Sequence, residues 1–248
     1  TNRVVAVKLL KAADFDSLAR FQREAAALAS LRHPAIVEYV THGSTNNGEP
    51  FLAMEWLSGT SLKEALEARP FGFIETIDVA RGIAAALAAA HATGIVHRDL
   101  KPANVFLVHG SPNAVKVVDF GIARLRGAGA TLTGTGAMLG TPAFMSPEQA
   151  RGAKHVDARS DFFSLGAILF RAITGRTPFE GEDTIMMLLA LTTQRAPRVA
   201  SFEPATPPRL AALVDALLAP TSDERPPNAE LVLQALDAAR AEAVAMNA

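Results

Sequence analysis

The chain has no cysteine. Neither a disulfide framework nor a thiolate metal centre can form, which fits a reducing, cytoplasmic setting. It also lacks charge of one sign: 24 Lys and Arg stand against 25 Asp and Glu, a net charge of −1. So small a net field argues against a nucleic-acid partner or a hold on an anionic membrane. No apolar run reaches the roughly 20 residues that span a bilayer. The Ala- and Leu-rich stretch from Val79 to His91 is too short and is interrupted by Arg81. No secretory-leader pattern opens the sequence. What the chain does have is apolar bulk. Its 248 residues are 49% hydrophobic and 20% charged, enough for one large domain or two lobes sharing a cleft.

The texture changes along the chain. Arg3 to Leu10 reads as a strand, with β-branched Val4, Val5 and Val7 and with Lys8 near its end. Asp16-Ser17 opens a helix, and Leu18, Phe21, Ala25, Leu28 and Leu31 form its apolar face, with Glu24 beside it. Ile36 to Thr41 and Pro50 to Trp56 read as two further strands around a Ser44-to-Gly48 turn. From Ser61 onward helical patterns dominate: Ser61 to Ala68, Thr76 to Ala92, Ser160 to Thr174, Thr184 to Thr192, Pro208 to Leu218 and Ala229 to Ala245. Only Val105 to Leu107 and Val115 to Val117 are strand-like among them. A small strand-rich lobe, residues 1–58, thus precedes a helical lobe, residues 59–248. The Gly-, Ala- and Thr-rich stretch from Gly127 to Gly140 is too long for a simple connector and reads as a functional loop.

Two short segments carry chemistry. His97-Arg98-Asp99-Leu100-Lys101-Pro102-Ala103-Asn104 is followed, fifteen residues after Asn104, by Asp119-Phe120-Gly121. Asp99 can accept a proton from an incoming hydroxyl, and Lys101 can neutralise charge on a transferring phosphoryl group. Asn104 and Asp119 offer oxygen ligands to Mg²⁺, a hard cation. Phosphoryl transfer from ATP needs these groups together.

On these residues the sequence resembles the eukaryotic-like (Hanks-type) serine/threonine protein kinases of bacteria. The resemblance runs from about Val4 to about Leu236 and implies an α+β, bilobal protein kinase-like fold. In Val5-Ala6-Val7-Lys8 it implies that Lys8 holds the α- and β-phosphates, with Glu24 as its ion-pair partner. It implies Met54 as gatekeeper, Glu55 to Leu57 as the hinge facing adenine, and Ala6 and Phe106 covering the ring. Asp161 would brace the catalytic loop, Arg225 would pair with Glu148 of Ser146-Pro147-Glu148, and His97 would pack beneath Phe120 in a spine with Leu28 and Tyr39. Lys101 and the Gly140-Thr141-Pro142 loop, with Thr141 bonded to Asp99 and Lys101, point to Ser or Thr as acceptor on a protein substrate. Gly140-Thr141-Pro142 and Ser146-Pro147-Glu148, which would build a protein-substrate groove, disfavour a small-molecule kinase. Thr131, Thr133 and Thr135 are candidate phosphorylation sites, with Thr133 and Thr135 placed where relatives autophosphorylate. A phosphate there could pair with Arg98, and a dimer could carry out the transfer.

One family feature is missing from these residues. The Gly-x-Gly-x-x-Gly loop should lie before Lys8, and only four residues precede Val5. The N-lobe is therefore expected to be truncated, with an unpaired edge on the Lys8 strand. The chain alone is expected to transfer phosphate poorly, and a version extended upstream is expected to be active. The alternative expectation is a kinase-fold regulatory or binding module with weak or no catalysis. The expected location is the cytoplasm, either free or as the cytoplasmic part of a membrane-anchored kinase.

Overall fold

A computed structural model describes residues 3–9, 25, 28–120, 142–153 and 156–247. The first sheet is built from β1 (Val5–Leu9), β2 (Tyr39–Ser44) and β3 (Pro50–Glu55), in the order β1-β3-β2, all antiparallel. β1 pairs Ala6 with Met54 and Lys8 with Leu52. Strand side chains alternate, so Ala6, Lys8, Leu52 and Met54 share one face. Val7 and Leu9 take the other face and are exposed. Gly48, at φ 79°, closes the turn from β2 to β3, where the Thr45 N–H donates to the Glu49 carbonyl.

β2 starts three residues later than the Ile36 to Thr41 reading. Ile36 leaves the sheet to form a parallel bridge with Val117, and Val37 N–H donates to the Val117 carbonyl. An apolar run with strand propensity is used here to join the first sheet to the second. That second sheet contains β4 (Gly59–Ser61), β5 (Val105–Val108) and β6 (Val115–Val117), in the order β4-β5-β6. Three-residue β4 has no alternation long enough to read from sequence.

The helices are α1 (Leu62–Ala68), α2 (Phe73–Ala92), α3 (Pro147–Ala150), α4 (Arg159–Thr174), α5 (Thr184–Thr193), α6 (Pro208–Leu217) and α7 (Ala229–Met246). α1 begins at a capping box. Ser61 caps the Glu64 N–H, and the Glu64 carboxylate accepts from the Ser61 N–H. α2 starts earlier than Thr76 because the Glu75 carboxylate accepts from the Gly72 N–H.

α4 is the axis of the core. Every residue from Ser160 to Phe170 is buried, as expected for a helix surrounded by others. Gly166 permits the close approach of α6: a Cβ there would stand 2.8 Å from Leu217 Cβ. Gly82 does the same for α2 against β6, where a Cβ would come within 2.6 Å of Val115. α7 is tied to α2 by Arg240 to Asp78 and Arg81 to Asp237, at 2.7 and 2.6 Å. Among the described residues no helix is long and apolar enough to cross a membrane.

Candidate active site

The Asp99 loop follows the end of α2 and closes in a 3-10 turn, Pro102–Asn104, that leads directly into β5. Lys101 Nζ donates to both carboxylate oxygens of Asp99, at 2.9 and 2.8 Å. Asn104 Nδ2 donates to the Asp99 carbonyl at 2.8 Å and to its carboxylate at 3.2 Å. The amide nitrogen is thereby used on Asp99, which leaves Oδ1 as an acceptor for a cation. Asp99 itself stays 43% exposed on its side chain, within reach of an incoming group. The Val118 N–H donates to the Asn104 carbonyl at 2.9 Å, so the chain approaching Asp119 is held against the Asp99 loop.

Across the cleft, Lys8 Nζ donates to Asp119 Oδ2 at 2.6 Å, joining the first sheet to the end of β6. Asp119 has φ 64°, in the left-handed region that residues other than glycine rarely adopt. Among the described residues no three His, Cys, Asp or Glu side chains form a metal cluster. Asp119 and Asn104 form a sparse oxygen set. Such a set fits Mg²⁺, which keeps several waters and takes substrate phosphates as further ligands.

Ala6 and Met54 lie on the cleft face of the first sheet. Phe106 pairs with Lys116 in the β5–β6 register, on the side of the hairpin that faces the hinge. Leu57's backbone N–H and carbonyl take no protein partner among the described residues. Glu55 and Lys116 bring an addition that sequence reasoning missed. Lys116 Nζ is bonded to the Glu55 carboxylate and to the Ile36 carbonyl, and Glu55 Oε1 also accepts the Glu38 N–H. The Glu55 side chain is thus clamped to the second sheet. The available signal was a lysine between two buried valines in a strand.

The supports beneath the site meet their expected partners. Asp161 accepts the backbone N–H groups of His97 and Arg98, each at 2.8 Å, and is bonded to His91 Nε2 at 2.8 Å. His97 packs on Phe120 with ring centroids 4.6 Å apart. Its Nε2 meets the Val118 carbonyl and its Nδ1 accepts the Asp99 N–H, which assigns the Nε2–H tautomer. Leu28 and Tyr39 line a small apolar cavity together with Phe120 and Asp119.

Arg225, its side chain fully buried, grips Glu148 with two nitrogens, at 2.7 and 2.9 Å. Burial pushes the Glu148 carboxyl up, but hydrogen bonds from Arg225 and Ser160 together with the Arg225 charge outweigh it. The net result is a pKa lowered to about 2. Glu24, Gly121, Thr131, Thr133, Thr135, Gly140 and Thr141 lie outside the described residues.

Comparison with known proteins agrees with this geometry. A family model described as "Protein kinase domain" matches residues 1–236. A probable serine/threonine-protein kinase of Streptomyces coelicolor is 41% identical over 231 residues, covering 90% of this chain and 34% of the relative. The serine/threonine-protein kinase pkn3 of Myxococcus xanthus is 35% identical over 253 residues, 96% of this chain and 46% of the relative. The serine/threonine-protein kinase PknB of Mycolicibacterium smegmatis is 43% identical over 192 residues, 74% of this chain and 30% of the relative. The chain thus spans between about a third and a half of the length of these relatives. With a family model covering nearly its whole length, the chain belongs to the protein kinase domain family.

Proposed function

We propose that the chain is the catalytic domain of a serine/threonine protein kinase, which transfers the γ-phosphoryl group of ATP to a protein Ser or Thr. The observation that carries this reading is the bonded cluster of Asp99, Lys101 and Asn104, tied through the Val118 N–H to the chain that leads into the Lys8–Asp119 pair. The printed names of the relatives support the same acceptor class.

The cleft lies between residues 1–58 and 59–248. Ala6 and Met54 on one side and Phe106 on the other enclose the adenine, and backbone groups of Glu55 and Leu57 meet its edge. Lys8 carries three donors, so it can keep Asp119 and still bond the α- and β-phosphates. Glu24, by the family resemblance, is the candidate for its second partner. Asn104 and Asp119 would hold Mg²⁺, which when bound would neutralise phosphate charge. Asp99 accepts the proton of the acceptor hydroxyl as that oxygen attacks. Lys101 keeps the Asp99 carboxylate oriented and offsets negative charge on the phosphoryl group. Autophosphorylation at Thr133 or Thr135, between two copies of the chain, is the proposed regulation. The proposed location is the cytoplasm, either free or as the cytoplasmic part of a membrane-anchored kinase.

Transfer of labelled γ-phosphate from Mg²⁺-ATP to a protein acceptor tests the reading, both with this chain and with a version extended upstream. Asp99→Asn is expected to cut turnover by about 10²- to 10⁴-fold, the usual worth of a positioned base, without lowering Tm. Lys8→Met is expected to lose turnover as well. Undiminished transfer by Asp99→Asn would overturn the assignment. Phosphopeptide mapping that places phosphate away from Thr133 and Thr135 would overturn the regulatory part.

A further inference from the structure

Gln149 uses both ends of one amide. Its Oε1 accepts from the Ser146 N–H at 3.1 Å and from the Ser146 hydroxyl at 3.0 Å, closing a capping box at the start of α3. Its Nε2 donates at 2.7 Å to the carbonyl of Arg98. Only one orientation of the amide satisfies both contacts, because a backbone N–H can only donate and a carbonyl can only accept.

The Arg98 carbonyl belongs to the peptide plane that carries Asp99. The other end of that plane, the Asp99 N–H, donates to His97 Nδ1 at 3.3 Å. The plane is therefore held from both sides. Arg98 needs holding, since its φ of 65° lies in the left-handed region that side chains other than glycine rarely adopt. Asp161 secures the N–H of Arg98, and Gln149 secures its carbonyl.

Capping does not require a glutamine. A glutamate at this place closes the same box, but it has no N–H to give. The donor end matters only to Arg98. We propose that Gln149 is a positioning residue for Asp99: its amide N–H sets the peptide plane from which the Asp99 carboxylate reaches the acceptor hydroxyl. The proposal rests on the reading of Asp99 as proton acceptor. It also links α3 to the peptide bond that precedes Asp99 by one hydrogen bond.

Two variants of the active protein test it. Gln149→Glu keeps the cap and turns a carboxylate towards the Arg98 carbonyl. Gln149→Leu removes the donor without adding charge. The measurements are kcat, KM for ATP, Tm, and hydrogen–deuterium exchange of the peptide covering residues 97–104. For Gln149→Glu the expected result is a parental Tm, KM within about twofold, kcat lower by on the order of tenfold or more, and faster exchange in that peptide. A folded Gln149→Glu or Gln149→Leu protein with parental kcat and exchange overturns the proposal. So does a loss of kcat that merely tracks Tm, or failure of both variants to fold, because each makes Gln149 a stability residue. An Asp99→Asn control separates the two readings. If that control keeps its turnover, the role of Asp99 fails, and the exchange of the 97–104 peptide still decides whether Gln149 sets the loop.

Discussion

Glu148 shows how a motif residue becomes a stability element. Its carboxyl sits at about pH 2 in the folded protein, below the ordinary 4.5, because Arg225 and Ser160 outweigh its burial. The unfolded chain therefore takes up this proton first as acid is added. The stabilisation is complete above about pH 4.5 and is lost as pH falls towards 2, and its full size is about 3 kcal/mol. Glu148→Gln leaves the buried Arg225 guanidinium without its counter-charge, at a cost of about 3–5 kcal/mol at neutral pH. Urea denaturation from pH 7 down to pH 2.5 should show the parent and this variant converging as Glu148 protonates. A constant difference across that range would disprove the assignment. At this scale the sequence was highly legible. Asp99, Lys101, Asn104, Asp119 and Asp161 could be named because each stands in a short motif whose spacing is local, and Arg225 because the family resemblance implies its pairing with Glu148. Gln149 and Lys116 could not, since neither was marked by a recognised motif role and their partners, 51 and 61 residues away, are joined to them only by packing.

At the level of elements, periodicity located the long helices within a few residues, and local caps set their true starts. The Ile36 segment was misplaced because strand propensity does not say which sheet a segment joins. Its bridge to Val117 decides that. Close contact between elements is equally invisible in sequence. Gly166 reads as an ordinary weak point in a helix, yet α6 lies against it. Gly166→Val is expected to force α4 and α6 apart and cost about 1–3 kcal/mol, measured as a fall in Tm, whereas a surface Gly175→Asn at a left-handed helix end should cost far less. Equal losses at the two positions would contradict the packing account. The cap of α1 gives a smaller effect: Ser61→Ala should remove about 1 kcal/mol of stability by denaturant titration.

For the whole molecule, the first sheet ends at β1, whose outer edge has no neighbouring strand among the described residues. Val7 and Leu9 are both 56% exposed on this strand. An apolar edge of this kind pairs readily with another chain. Val7→Lys is expected to reduce concentration-dependent association of this chain in sedimentation experiments; unchanged association would mean that another surface is responsible. The sequence alone determined the family and the division into a strand-rich beginning and a helical remainder, and it named the candidate reacting groups, because motif spacing and hydrophobic period are properties of neighbours along the chain. Only the tertiary structure decided that Lys8 meets Asp119 across 111 residues, that Glu55 is clamped by Lys116, and that Gln149 holds the plane beneath Asp99. Those partners are selected by how sheets and helices pack, and packing joins residues that no local pattern connects.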